Sequence, residues 1–325
     1  MSASIPEADT HPEPAHGHIP VMVDEVMAAL DPRPGETIAD ATAGRGGHAV
    51  TIARAIGPSG TLILFDLDPG NLAYAQERVH QAVPGIEIVA IARSFASIRR
   101  ELRQKELQID GLLADLGFAS NQIEEPDRGF SFNREGPLDM RLDPESPLKA
   151  SDLLLSLSEP ELADVIRRYG EDPAAKRIAR KIVAERTEKP IESTAHLARL
   201  VREAYGSRAR EARVHPATRT FQALRIAVND EIGALDALLG EIERTALALM
   251  NGSPGWLAPG ARIAIIGFHS LEDRLVKQRF ARMAQEGALT DRARKPLTPT
   301  HAEICSNPRA RSAKLRCATV GTPPS

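Results

Sequence analysis

The stretch Asp40-Ala-Thr-Ala-Gly-Arg-Gly-Gly-His-Ala-Val50, "DATAGRGGHAV", decides how the chain is to be read. A short apolar run, Thr37-Ile38-Ala39, precedes it, and a segment with helical spacing follows. Glycines between a strand and a helix let the backbone approach a ligand at the helix N-terminus. Gly44-x-Gly46-x-x-Ala49 fits that loose fingerprint, and no Gly-Lys-Ser/Thr follows it, which excludes a P-loop. Asp66 closes the next apolar run, "TLILFD", about twenty positions on, where a carboxylate can accept both hydroxyls of a ribose. An NAD site and an S-adenosylmethionine site both satisfy these features.

Outward from this loop the chain alternates. "TIADAT", "GTLILFDLD", "IEIVAIA" and "IDGLLADLGF" are strand-like, and the near-continuous apolar runs are those of strands buried on both faces. Between them "GHAVTIARAIG", "PGNLAYAQERVHQAV" and "FASIRRELRQKEL" have helical spacing. The order predicts an α/β fold, a mostly parallel sheet with helices on both faces. From about Ala119 to His215 no buried strand is evident, and the helical stretches there predict an inserted domain over 123–215. The main domain is expected over 19–122 and 216–325. One long helix is expected from Thr218 to Met250, a fifth strand in "WLAPGARIAIIGFHS", and terminal strands in "KPLTP" and "SAKLRCATV". Ser270 is the expected N-cap of the helix after the fifth strand, with Glu272 and Asp273 in its first turn.

Bulk properties narrow the class. The 325 residues carry a formal charge of −3 and two cysteines, too few for a disulfide framework and without zinc spacing. Residues 1–18, with His11, His16 and His18, lack an apolar leader and are expected to form a disordered tail. No run reaches the length of a membrane span, so a soluble cytoplasmic protein is expected. The charge is unevenly spread: residues 167–225 hold fifteen Lys/Arg against seven Asp/Glu, and residues 292–316 seven against one. Basic stretches on an otherwise acidic chain suit either a polyanionic partner or solvated helix faces.

Three features favour S-adenosylmethionine over NAD: "LAPG" before the fifth strand, Asp115 at the end of the fourth, and the expected terminal strand pair. The blocks "DATAGRGGH", "DGLLADLGFAS", "RGFSFNREGPLDMRLD", "HPATRTFQALRIAVNDE", "GFHSLEDRLVK" and "NPRARSAKLR" then resemble, in order, those of the cytosine-N4 methyltransferases of 16S ribosomal RNA, the small-subunit methyltransferase H family. The resemblance runs from near His18 to near Arg316. It implies a class I S-adenosylmethionine methyltransferase of Rossmann-like fold, acting on a cytidine in the decoding region of 16S rRNA, within the small ribosomal subunit. Carried over by motif, Gly46, Gly47 and His48 line the cofactor, Asp66 meets its ribose, Phe95 lies near the adenine, and Asp115 and Gln122 complete the methionine end. Two departures stand out. The family's "DLGVSS" is "DLGFAS" here, with Phe118 and Ala119 new and Ser120 kept, and its serine before "FHSLEDR" is Gly267.

For the chemistry, Asp115 is the candidate acceptor and orienter of the target amine, and His269, after the fifth strand, is a candidate contact or scaffold residue. No metal is required. Phe130 and Phe132 could stack a base or pin the insertion, and Arg128, Arg134 and Arg141 could meet phosphates. His215 is expected at the insertion's boundary. Arg177, Arg180, Lys181, Arg309, Arg311, Lys314 and Arg316 would track an RNA backbone, contacts that hold rather than specify. An NAD-dependent oxidoreductase, a non-catalytic RNA-binding protein, and a methyltransferase of DNA or a small molecule are the competing classes.

Overall fold

The computed structural model describes residues 19–119, 122–123, 125–210, 215–291 and 294–322. The expected tail over 1–18, and Ser120, lie outside the described residues. Among these, seven strands form one sheet: β1 (Thr37–Asp40), β2 (Thr61–Asp66), β3 (Glu87–Ala92), β4 (Ile109–Asp115), β5 (Leu257–Gly267), β6 (Leu289–Asp291) and β7 (Lys314–Val320). Their order is β3-β2-β1-β4-β5-β7-β6. β1 to β5 are parallel, β7 runs antiparallel to β5, and β6 antiparallel to β7.

Side-chain alternation divides the core between the two faces. Leu62 and Leu64 of β2, with Ala264 and Ile266 of β5, face one cluster; Ile63, Phe65, Ile263 and Ile265 face the other. The first cluster is covered by α1 (Val23–Leu30), α2 (Gly47–Ile56) and α3 (Pro69–Ala82). The second is covered by α4 (Ile98–Gln104), α10 (Glu231–Met250) and α11 (Ser270–Gln285). Both faces are buried, which is why the strands read as continuous apolar runs.

A separate apolar cluster fills the insertion, between α5 (Ala150–Ser156), α6 (Glu159–Gly170), α7 (Ala175–Arg186) and α8 (Thr194–Tyr205). It also takes Ala217, Phe221, Leu224 and Val228 from α9 (Ala217–Asn229). The single helix expected over Thr218–Met250 is therefore two. Asp230 adopts the left-handed conformation, φ 47° and ψ 41°, and ends α9 where α10 begins. Aspartate tolerates that conformation better than most residues. The break lets α9 bury its apolar face in the insertion while α10 buries Leu235, Leu238 and Ile242 on the sheet.

Two further expectations change. "KPLTP" is not a strand: Leu297 makes an isolated bridge to Leu315, and the partner of β7 beyond β5 is β6. The N-cap of α11 is His269 rather than Ser270, with His269 Nδ1 accepting the Glu272 N–H at 3.4 Å.

Candidate active site

Three parallel strands end in carboxylates at the same edge of the sheet: β1 in Asp40, β2 in Asp66 and β4 in Asp115. Connections from β1 and β4 depart to opposite faces here, and such a switch point at the carboxyl edge opens a crevice. The cleft that forms is lined by Gly47, His48, Asp66, Phe95, Asp115 and Gln122, all expected from the sequence. Gly46 does not line it. Its φ is +75°, and a Cβ there would stand 3.0 Å from the Ala75 Cα, so the glycine lets the loop pack against α3. Arg78 fixes the same loop by donating Nη1 to the Arg45 carbonyl at 2.8 Å.

Asp66 organises both loops beside it. Its Oδ2 accepts the Gly44 N–H at 2.8 Å and its Oδ1 the Asp68 N–H at 2.8 Å. The Asn71 side chain adds a further hydrogen bond, and with about four lone-pair sites on a carboxylate Asp66 still keeps acceptor capacity for a ribose hydroxyl. Burial pushes the Asp66 carboxyl up to about 6 despite those donors.

Below the cleft lies a buried charge cluster. Asp40 Oδ1 accepts the Thr42 N–H at 3.1 Å, and Thr42 Oγ1 accepts the Asp115 N–H at 2.6 Å, which ties the end of β4 to the loop after β1. His48 Nε2 stands 3.5 Å from Asp115 Oδ2, an ion-pair distance without a formed hydrogen bond. Burial opposes charge on His48, yet the Asp115 and Asp40 carboxylates outweigh it and hold the imidazole above the ordinary histidine value. Burial raises Asp40 to about 6, against the opposing pull of His48. Asp115 Oδ1 has no hydrogen-bond partner among the described residues. Thr42, Pro20, Arg93, Ser94 and Leu142 also line the cleft and were not expected; only Thr42, beside a strand-end aspartate, carried a sequence signal.

A second cavity, of about 360 Å³, shares Asp115, Gly117 and Phe118 with the first. Phe130, Phe132, Phe221, Phe268, Arg225 and His269 are among the residues that complete its wall. Its aromatic rings hold one another. Phe118 stacks on Phe130 at 5.5 Å, and Phe132 stacks on His215 at 4.5 Å and meets Phe221 edge-on at 5.2 Å. Both phenylalanines of the insertion loop thus pin it and line the cavity. His215 accepts the Ala217 N–H and sits at the insertion's return.

His269 is fixed by Glu272. Besides the cap, its Nε2 lies 3.2 Å from Glu272 Oε1. Burial would raise Glu272, but His269, Arg225 and the Phe268 N–H hold it below the ordinary glutamate value. Glu231, His269 and Glu272 converge closely enough to suggest a cation site. Arg225 already supplies the cation there, donating Nε and Nη2 to the two Glu231 oxygens at 2.7 and 2.8 Å. Gly267 offers no hydroxyl, and a Cβ on it would come within 3.1 Å of the Glu272 Cβ.

The sequence model of the MraW methylase family matches residues 15–320. The chain belongs to that family. It is 44% identical over 304 residues to the ribosomal RNA small subunit methyltransferase H of Acidobacterium capsulatum, covering 93% of this chain and 97% of that one. To the protein of the same name from Halorhodospira halophila it is 45% identical over 336 residues, covering 98% and 99%. Among solved structures, TrmN from Thermus thermophilus aligns at TM-score 0.40 and 12% identity, covering 92% of this chain and 48% of that one, too weak a likeness to bear on the site.

The cofactor of this methylase is S-adenosyl-L-methionine, and the fold is the Rossmann-like class I methyltransferase fold. The residues present fit that cofactor. A sulfonium is a cation, and the cleft offers Asp115 with one unpartnered buried oxygen, while Asp66 keeps acceptor capacity for a ribose and Phe95 offers an aromatic wall.

The cations expected to track a polyanion divide in two. Arg141 is held by Asp139 at 2.8 Å and by the Pro144 and Ser146 carbonyls, and Arg128 by Asp68 at 3.3 Å. Lys314 and Arg316 both pair with Asp273, at 3.1 and 2.7 Å. These four are held in ion pairs with carboxylates of the chain itself. Arg180 and Lys181 reach Glu159 and Glu203 across exposed surface. Arg134, Arg177, Arg309 and Arg311 are exposed.

Proposed function

We propose that the chain transfers a methyl group to the exocyclic N4 of a cytidine in the decoding region of 16S rRNA, within the small ribosomal subunit. The observation that carries this reading is the position of Asp115 in the walls of both cavities. The cofactor belongs on the side of Gly47, His48, Asp66, Phe95 and Gln122, and the target base on the aromatic side. The names of the 44–45% identical relatives support the RNA substrate. No helix among the described residues is long and apolar enough to cross a membrane, in keeping with a cytoplasmic enzyme.

The N4 lone pair of cytosine is conjugated into the ring, so the amine is a poor nucleophile. The cofactor supplies an activated methyl group, which removes any need for a metal or a covalent nucleophile. The work left to the protein is orientation. Asp115 accepts an N–H of the amine and turns its lone pair toward the methyl, and such positioning lowers barriers by about 7–11 kcal/mol in favourable cases. The base reaches Asp115 by leaving its stack for the aromatic cavity. His269, locked by Glu272, shapes that cavity and presents its ring edge to the base.

The test is methyl transfer from labelled S-adenosylmethionine to small ribosomal subunits that lack the modification, with nucleoside analysis, for wild type and Asp115→Ala. N4-methylcytidine formed only by wild type is the expected result. Cofactor binding with no methylated nucleoside on subunits, naked rRNA or DNA would overturn the proposal.

A further inference from the structure

The charge cluster behind the cleft is larger than the positioning of one amine requires. His48 lies in the field of carboxylates from three elements: Asp115 from β4, whose Oδ2 is 3.5 Å from the ring, Asp40 from β1, and Glu303 from α12 (His301–Ser306). Glu303 also accepts the Met22 N–H at 2.6 Å, which holds the segment carrying Pro20 over Gly47. α2 itself brings no acid in its first turn to balance the ring. His48 is 6% exposed, and its Nε2 has no hydrogen-bond partner among the described residues. Against the opposing effect of burial, the neighbouring carboxylates favour the protonated form of the imidazole.

The same wall of the cleft must receive a second cation when the methyl donor binds. We propose that His48 is proton-linked to the donor: it is an imidazolium in the donor-free protein, releases its proton when the sulfonium enters, and takes one back during methyl transfer. This inference rests on the reading of the cleft as the S-adenosylmethionine site. Two cations in one poorly solvated wall repel, and the group able to relieve the repulsion is the one that can deprotonate.

The geometry of Asp115 gives the proton a route. Its Oδ2 faces His48 Nε2 at 3.5 Å, and its Oδ1 has no partner within the described protein, so the two oxygens can serve the imidazole and the amine separately. As the N4–C bond forms, the S–C bond breaks and its electron pair stays on sulfur, so the positive charge moves to N4. N4 then loses one proton to Asp115, which passes it to His48 Nε2. The ring accepts it because the neighbouring sulfonium charge has gone. Asp115 thus starts and ends as a carboxylate, and His48 ends as it was in the donor-free protein.

The test compares S-adenosylmethionine with S-adenosylhomocysteine, which lacks the methyl and its charge. Titration calorimetry of wild type in buffers of different ionisation enthalpy, near the ordinary histidine pKa, counts protons exchanged on binding. The expected result is release of up to about one proton more per site with S-adenosylmethionine than with S-adenosylhomocysteine, and loss of that difference in His48→Gln. Equal proton counts for the two ligands in wild type would overturn the proposal, as would a difference that survives in His48→Gln. The wild-type comparison stands alone if the variant does not fold. Failure of wild type to bind either ligand would instead overturn the reading of the cleft, and this inference with it.

Discussion

The Arg225 guanidinium lies 4.6 Å from the centroid of the Phe118 ring, while the same side chain grips Glu231 with two hydrogen bonds. Phe118 follows β4, Arg225 belongs to α9, and Phe130, stacked on Phe118, comes from the insertion loop. One ring therefore joins the sheet edge to the insertion loop and to α9. Phe118→Val removes a cation–π contact and an aromatic pair, together about 1–2 kcal/mol. The variant is expected to melt a few degrees lower and to show a KM for small subunits raised several-fold, with a smaller change in affinity for the methyl donor. Denaturation and steady-state kinetics check both. Unchanged melting and KM would mean that the stack does not hold the insertion.

Asp40 makes the donor-free fold sensitive to pH. Burial raises its carboxyl from 3.8 to about 6, so between those values the folded chain holds more protons than the unfolded one. Stability therefore falls as pH rises through that window, and above it the full cost of the buried charge is present. For a shift of this size the cost is about 1–3 kcal/mol, after allowance for the compensating charge of His48. Asp40→Asn keeps an oxygen for the Thr42 N–H and removes the charge. It is expected to exceed wild type in stability at neutral pH, with the advantage shrinking to little near pH 4 or so. Urea denaturation across the window measures this directly. A difference that does not vary with pH would show that Asp40 does not titrate there.

Much of this arrangement is legible in the sequence, for identifiable reasons. The parallel strands are buried on both faces and read as unbroken apolar runs, and Asp66 and Asp115 close two of them. The break at Asp230 is not legible, because apolar residues keep helical spacing on either side of a single left-handed residue. The cap of α11 is misread because serine is the usual capping residue and His269 performs the task one position earlier. The cluster of Asp40, His48, Asp115 and Glu303 brings together groups from four elements, and no local spacing announces it. Local charge counts miss pairing in the same way. They record Lys314 and Arg316 as cations, whereas folding places Asp273 beside both.

That last distinction separates two arginines only five positions apart. Arg316 is 8% exposed in its side chain and pairs with Asp273, whose carboxyl is held below the ordinary aspartate range by Arg316 and Lys314 against the opposing effect of burial. Arg311 is exposed, on the segment that also brings Arg309 to the rim of the aromatic cavity. Arg316→Gln leaves Asp273 with Lys314 alone and is expected to cost about 1–3 kcal/mol of stability, without altering how subunit binding depends on salt. Arg311→Gln is expected to leave stability within about 0.5 kcal/mol, weaken subunit binding, and reduce the slope of log affinity against log salt by about 0.7–0.9. Binding isotherms at several salt concentrations, with melting curves for both variants, decide the matter. A salt slope that changes in Arg316→Gln and not in Arg311→Gln would reverse the assignment and place the phosphate contact on the strand rather than on the segment before it.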